Sequence, residues 1–469
     1  MTRPVANFGG DIRFTPKHLY RPRTEAEVLA VLDRHAGGKV RVVGARHSWN
    51  PGIASADALL DLRYLRAVAV HRAGGEVVAV TAGGGCRMKH LLGALHRRAD
   101  ATLPSVGLIT EQTVAGVVST ATHGSGKHSL SHYVEQIRVA AYDPATGRAR
   151  VYTWGEGDPE LAAARCAVGC MGVVLAVRFR CVPRYDVEEV MHACDGLDEV
   201  LAGEARYPLQ QFYLAPHRWT YFAQRRAAAQ AIQPRSLAAR LYRAWWFLGI
   251  DVGLHLIFKL LVSVVQSPPL TRWFFRRALP RLVLRNVTIV DRAERVLVME
   301  HELFRHLEIE LFVPARHLPG AVGFVRAAVN TFAGVDTDLT PVADPDLRDE
   351  LRRHCGTFTH HYPITFRRVL PDDTLISPTA SASEPWYAIS FITYAEPRGP
   401  FLAFAGFLAR GLGRLFGARL HWGKHFPLGP AEVEAAYPRL PEFRAHCERV
   451  DPRGVFRNGF AGRVLFGAD

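Results

Sequence analysis

The order of apolar runs predicts an α+β fold built in two parts. From about residue 16 to 182, strand-like runs (Val40 to Val43, Val77 to Val80, Ile137 to Ala141, Val173 to Phe179) alternate with helical patterns at Thr24 to Arg34 and Arg87 to Leu95. From about 183 to 415 the pattern changes to strands at Arg295 to Met299, Leu307 to Val313 and Tyr387 to Thr393, separated by helical stretches. At 469 residues and 48% hydrophobic content the chain can bury large cores in two or more domains. No internal repeat or low-complexity linker interrupts it.

In the first part, Thr24 followed by Glu27 forms a capping-box pattern at the head of the first helix. The run Val40, Val42, Val43 reads as a buried strand entering a Gly-containing turn, Val43-Gly44-Ala45-Arg46-His47-Ser48-Trp49, whose free backbone N–H groups can hold an anion. Thr113 to Gly126 reads as a packed helix start running into a Gly/Ser/Thr-rich loop with the same capacity. Two such loops can grip a diphosphate without a lysine, since oriented amides supply the positive field. Two nucleotide-binding alternatives fail on spacing. Gly83-Gly84-Gly85 lacks the G-x-G-x-x-G pattern, and Thr122-His-Gly-Ser-Gly-Lys127 has Ala121 and His128 where a P-loop needs Gly and Ser or Thr. Tyr142 to Arg148 is a loop between strands, marked by its Asp-Pro and Gly.

The oddest stretch is Ala244 to Val265, near the length of a membrane span. Asp251, His255 and Lys259 recur every four residues and so line one helical face, which predicts an amphipathic helix rather than a span. After Ser267-Pro-Pro269 comes the basic and aromatic segment Thr271 to Arg277, suited to an anionic membrane surface; packing on the second domain is the plainer alternative.

With 58 basic against 44 acidic residues the net charge is +14, which favours an anionic partner. The basic residues are not interleaved with aromatics as in nucleic-acid binders, so none is expected. Seven cysteines at irregular spacing argue against a disulfide framework, and Cys166 and Cys170 read as core thiols. Met1 to Asp11 lacks an apolar signal core. The expected location is the cytoplasm, peripheral to the inner face of the membrane.

The turn Arg46-His47-Ser48-Trp49, the Thr113 to Gly126 loop, His421-Trp-Gly-Lys424 and Asp451-Pro-Arg-Gly-Val-Phe-Arg-Asn458-Gly-Phe460 together resemble motifs of the vanillyl-alcohol-oxidase superfamily, within it the sugar-lactone and alditol oxidases. The likeness spans nearly the whole chain. Alone, His47 would read as a turn residue; its company makes it the position where this family attaches the flavin 8α-methyl group.

The resemblance implies a PCMH-type FAD-binding domain over 11–182. It also implies a substrate domain over 183–415, with an antiparallel sheet covered by helices and a hydrophobic helical insertion at about 241–285. A C-terminal segment over 416–469 would return to the flavin. The implied FAD contacts are Val43 through Ser48, Ser105, Gly107, Thr110, Val114, Gly116, Ser119, Thr120, His123, Gly124, Gly172, Val174, Lys424 and Asn458, with no metal.

The implied catalytic pair is Lys424, near the flavin pyrimidine edge, and Arg367, matching the Arg of a family E-x-R. The chain departs from that pattern by placing Thr365 at the Glu, so either His360 or His361 handles the proton or the substrate needs no strong base. Leu108 and Ile392 stand where alditol oxidases carry Ser and Thr, which disfavours polyols. Ser390 is a further substrate contact, and Gly107 leaves room for dioxygen. Glu310 reads as a strand-edge carboxylate outside the site.

The expected function is oxidation of a CH–OH group of an aldono-1,4-lactone, as in D-arabinono-1,4-lactone oxidase, with hydride passing to flavin N5 and O2 as acceptor. The alternatives are an alditol or other alcohol oxidase, a quinone-linked dehydrogenase, and a membrane-bound flavoprotein with a vestigial site.

Overall fold

The computed structural model describes residues 3–230, 237–299, 304–394 and 396–468. In the first part, β1 (His18–Tyr20), β2 (Val40–Val43) and β3 (Ala58–Asp61) form a parallel sheet in the order β1-β3-β2, with α1 (Glu25–Arg34) as the crossover. Thr24 Oγ1 accepts from the Glu27 N–H at 3.2 Å, as its position predicts. The Glu27 carboxylate bonds the Arg23 N–H at 2.9 Å rather than that of Thr24, so only half of the capping box forms. Next come β4 (Val68–Ala73), β5 (Glu76–Gly83), β6 (Val134–Tyr142), β7 (Ala149–Gly155) and β8 (Val173–Arg180). They build an antiparallel sheet in the order β7-β6-β8-β5-β4. Its turn at 142–148 closes through Gly147 at φ +68°.

The second part is an eight-stranded antiparallel sheet. Its strands are β9 (Asp186–Cys194), β10 (Gln211–Leu214), β11 (Tyr221–Ala228), β12 (Ile289–Arg292), β13 (Leu307–Pro314), β14 (Ile364–Val369), β15 (Trp386–Thr393) and β16 (Arg419–Leu420). They lie in the order β12-β9-β11-β10-β14-β15-β13-β16. Period-two alternation divides the faces. Ile309, Leu311 and Val313 with Phe366, Ile389 and Phe391 join a core shared with the helices at Leu318–Phe332 and Gly399–Phe416. The opposite face carries the polar residues.

The strand expected at Arg295 to Met299 does not form. Ala293–Val296 is a helical turn, in which Arg295 reaches back to Asp291 at 3.4 Å, and only Met299 makes an isolated bridge, to Ile109.

The insertion forms one helix over 237–265, with π-type turns at Trp246–Leu254 and Leu260–Val265, followed by helical turns over 268–282. The expected polar stripe is split, with Asp251 and His255 turned inward and Lys259 exposed, and apolar side chains lie on both sides of the helix. Leu254, Phe258, Leu261, Phe274 and Phe275 pack against Met191, Ala215 and Phe222 of the sheet. Outward, Leu237, Leu241, Leu248, Leu256, Leu260, Val264 and Trp273 stand exposed, Val264 by 71%. Among the described residues, all the exposed large hydrophobic side chains except Tyr64, Val78 and Leu402 belong to this insertion.

Candidate active site

A cavity of about 540 Å³ lies between the polar face of the large sheet and the insertion, open toward the two Gly-containing loops. One cross-strand row forms part of its floor: Tyr213, Thr365, Ser390 and Glu310 are successive register partners on β10, β14, β15 and β13. Two residues along lie Gln211 and Arg367, and on the other side Ile392 opposite Glu308.

The floor groups satisfy one another. Arg367 Nε donates to Gln211 Oε1 at 3.0 Å, and Gln211 Nε2 donates to Gln224 Oε1 at 2.6 Å. Ser390 Oγ donates to Glu310 Oε1 at 2.9 Å, while Arg367 Nη1 lies 3.6 Å from that oxygen. Lys424 Nζ bonds Glu308 Oε2 at 2.5 Å and sits 4.4 Å above the Trp49 ring. Burial alone would raise the Glu308 carboxyl; the Lys424 ammonium and His306 overcome it and hold it at about 2. Glu310, also buried, is kept well below the usual carboxylate range by His123, His421 and Lys424. Burial pushes His421 down to about 3.

The motifs singled out in the sequence converge here. Trp49 N–H donates to the Gly423 carbonyl at 2.9 Å and its indole Nε1 to the His306 carbonyl at 2.8 Å, tying the first loop to the His421–Lys424 turn. His47 is half-buried with its ring stacked on Phe8, 4.9 Å between centroids. A Cβ on Gly44 would lie 2.0 Å from Thr113 Oγ1, so the two loops touch where glycine permits it. Arg46 adopts φ +64°, and the N–H groups of Ala45, Arg46 and Ser48 meet no protein acceptor among the described residues. Ser105 Oγ and Thr122 Oγ1 are buried without a partner among the described residues. A cradle of glycines, unpartnered amides and orphaned hydroxyls fits a large polar cofactor such as FAD.

Other residues implied as FAD contacts have partners within the protein. Asn458 Nδ2 donates to the Pro51 and Ala54 carbonyls, both at 2.9 Å, and Oδ1 accepts the Ala461 N–H, so the residue fastens the C-terminal helix to the first loop. The Val114 N–H is taken by the Cys86 carbonyl at 2.8 Å, the Thr110 carbonyl by Lys89 N–H, and the Ser119 carbonyl by Val168 N–H. Thr120 Oγ1 bonds the Gly116 carbonyl at 3.0 Å. Gly172, at φ +118°, would set a Cβ 2.5 Å from the Ala140 carbonyl, just before Val174 enters β8. A Cβ on Gly107 would lie 2.6 Å from Thr122 Cγ2, so packing also requires a glycine there.

The substrate contacts Leu108, Thr365, Ser390 and Ile392 line the cavity with Arg367 and Lys424; His361 does not. His361 Nε2 accepts the Tyr394 N–H at 3.1 Å in the core, and burial holds its pKa at about 4. His360 is likewise buried, packed on Phe391 and Phe404, with its pKa pushed far down by burial. Neither histidine faces the cavity. Glu308 and Glu310 do, against the expectation of a strand-edge carboxylate. Their alternation with Ile309 and Leu311 was visible, but not that both faces of β13 are covered.

The family profile described as D-arabinono-1,4-lactone oxidase matches residues 177–464, and that of the FAD binding domain matches 16–149. A long-chain alcohol oxidase from an uncultured marine euryarchaeote is 45% identical over 98% of this chain and 96% of its own. L-gulonolactone oxidase from Bos taurus is 24% identical over 96% of each chain. Cholesterol oxidase from B. sterolicum superposes with a TM-score of 0.75 over 99% of this chain and 97% of that one at 14% identity, a likeness of fold alone. Two loops shaped for FAD, a lysine and an arginine beside them, and matches that together cover nearly the whole sequence agree: the chain belongs to the D-arabinono-1,4-lactone oxidase family of FAD-dependent oxidases.

Proposed function

We propose that this oxidase acts on the CH–OH group of a long-chain, largely apolar alcohol, with O2 as final acceptor and hydrogen peroxide as product. One observation carries the reading: where the insertion covers the cavity most of the lining is apolar, Trp246, Phe247, Ile250, Leu254, Leu279 and Val283, interrupted by Arg243, Asp251 and His255. Such a wall rewards a hydrocarbon chain and leaves sugar hydroxyls without partners. The name of the 45% identical relative agrees.

Bound FAD supplies the hydride acceptor. Lys424, fixed between Glu308 and the Trp49 ring, sets a positive charge beside the reacting centre. Arg367, braced by Gln211, directs its remaining N–H groups toward the substrate oxygen. Leu108 and Ile392 exclude water from the carbon to be oxidised. His47 is the proposed point of covalent attachment; His47→Ala should release all flavin on acid precipitation, and acid-stable flavin in that variant would refute the assignment.

The deciding experiment is anaerobic mixing of the yellow protein with decan-1-ol, xylitol and L-gulono-1,4-lactone, followed by absorbance. Bleaching by decan-1-ol at the lowest concentration supports the proposal. Bleaching by the lactone alone supports the second reading, an aldono-1,4-lactone, which the matched family's own description favours. Peroxide formation under air distinguishes an oxidase from a quinone-linked dehydrogenase.

The exposed leucines of the insertion, with Arg240, Arg276, Arg277 and Arg281 among them, support peripheral contact with an anionic bilayer at the cytoplasmic face. Failure to float with phosphatidylglycerol liposomes at low salt would remove that part of the reading.

A further inference from the structure

The pairing register brings a carboxylate to the reaction centre that no sequence motif announces. Thr365 pairs with Ser390 and Ser390 with Glu310, so the three side chains stand in one row on the cavity face, two strands from first to last. Glu310 is only 3% exposed. Its Oε1 takes Ser390 Oγ at 2.9 Å and lies 3.6 Å from Arg367 Nη1 and 3.4 Å from His123 Nε2. Its Oε2 accepts from no donor among the described residues.

Two histidines complete the group, and their tautomers decide what it can do. His123, Glu310 and His421 each offer an atom within 4.8 Å of the others, a grouping that could hold a cation. However, His421 Nδ1 accepts the Gly423 N–H at 2.9 Å, so in the neutral ring the proton sits on Nε2 and no lone pair faces the cluster. His123 Nδ1 lies 2.9 Å from the Gly124 carbonyl, which can only accept, so Nδ1 carries a proton. The ring then turns Nε2 to the Glu310 carboxylate, 3.4 Å from Oε1. The cluster is arranged for protons rather than for a metal.

We propose that Glu310 is the proton acceptor of the alcohol oxidation, a catalytic residue held in place by Ser390, Arg367 and His123. The inference rests on the function proposed above. The substrate O–H bond breaks and its proton passes to Glu310 Oε2. The electron pair of that bond becomes the second C–O bond, and the hydrogen on carbon leaves with its bonding pair as hydride, for which bound FAD would be the acceptor. The alcohol thus loses two electrons and two hydrogens and becomes a carbonyl. A weakly basic carboxylate suffices, because the hydroxyl of a carbon losing hydride is turning into a protonated carbonyl, a much stronger acid than any carboxylic acid.

The test is Glu310→Gln, which keeps the shape and removes the charge. Anaerobic stopped-flow with decan-1-ol should show flavin reduction slowed by about 10²- to 10⁴-fold, the range for a general base, with flavin content unchanged. Adding Thr365→Glu restores a carboxylate to the same row and should recover at least about tenfold of that loss. Independently of turnover, 15N-histidine NMR should show the His123 Nε2 signal shift in Glu310→Gln, because the carboxylate facing it is lost. Reduction within about threefold of the parent rate overturns the proposal. So does a loss that Thr365→Glu leaves unrelieved while the His123 signals stay unchanged. If the Gln variant fails to retain flavin, Glu310→Asp replaces it, and a rate lowered by less than about 10²-fold with the charge kept is the supporting result, a larger loss the contrary one. Should the parent flavin bleach with L-gulono-1,4-lactone and not with decan-1-ol, the alcohol reading fails alone, and the same comparisons are read with the lactone.

Discussion

Lengthening the substrate one methylene at a time probes the apolar wall directly. Each CH2 that moves from water onto Trp246, Phe247, Ile250, Leu254, Leu279 or Val283 gains up to about 0.8 kcal/mol, or about fourfold in kcat/KM. The wall is interrupted by Asp251 and Arg243, so about two- to fourfold per methylene is the working range. From hexan-1-ol to decan-1-ol, kcat/KM should therefore rise about 16- to 250-fold. The rise should flatten once the chain fills what the flavin leaves of the 540 Å³ cavity. Initial rates of peroxide formation across the C4 to C14 primary alcohols measure the slope. Leu254→Asn, which sets an unpartnered amide in the wall, should lower the slope while leaving butan-1-ol nearly unchanged. A flat series, or a maximum at the shortest alcohol, would refute the reasoning, because no apolar contact would then be forming.

Three further predictions concern how the site is held. Lys424→Ala should slow flavin reduction and also destabilise the fold by about 3–5 kcal/mol, since it strands the buried Glu308 carboxylate; Glu308→Gln on the same background should return much of the lost Tm, and no return would mean the pair is not energetically coupled. Gly126→Ala should cost more than about 2 kcal/mol in denaturant midpoint, because at φ +74° its Cβ would lie 1.6 Å from the Pro208 carbonyl oxygen, whereas Gly147→Ala meets only the tip of Arg453 and should cost about 1 kcal/mol. Burial depresses the folded pKa of His217 and His361 to about 4 and of His421 to about 3, so their stabilising effect is fully present above about pH 6.5 and is lost as pH falls toward those values. Each should contribute up to about 1.4 kcal/mol per pH unit to that loss, and equal urea midpoints at pH 7 and pH 5 would contradict it.

What the sequence made legible was local. The two Gly-containing loops, the His47 turn, the His421–Lys424 turn and Arg367 are contiguous motifs, and their convergence follows once each is recognised. Leu108 and Ile392 were also readable, as apolar residues at polar positions, and both line the cavity. Glu310 was not, because its value lies in a register: Thr365, Ser390 and Glu310 come from three distant segments, and only strand pairing sets them side by side. The adjacent His360 and His361 show the opposite failure. Their chemistry was evident in the sequence, whereas their burial under the helix at Gly399–Phe416 was not. The spacing of Asp251, His255 and Lys259 gave the stripe of the insertion helix without saying which side meets water. Asp251 and His255 face the cavity, with His255 bonded to Tyr362 at 3.2 Å, and the leucines face outward.

The same packing bears on the choice between sugar and hydrocarbon. A lactone or polyol presents several hydroxyls, and each one buried without a partner costs about 1–3 kcal/mol. The floor has polar groups in plenty, yet most are already engaged: Gln211 with Gln224, Arg367 with Gln211, Ser390 with Glu310, Lys424 with Glu308. Within this row what remains is the outer N–H groups of Arg367, the Thr365 hydroxyl and Glu310 Oε2, grouped around one hydroxyl that is first held and then oxidised. To bind a second hydroxyl the site would have to break a buried pair, while a methylene in the same place needs only the wall of the insertion. A largely satisfied floor beneath a mostly apolar roof thus favours a substrate with a single polar end, and it does so through hydrogen bonds that never touch the substrate.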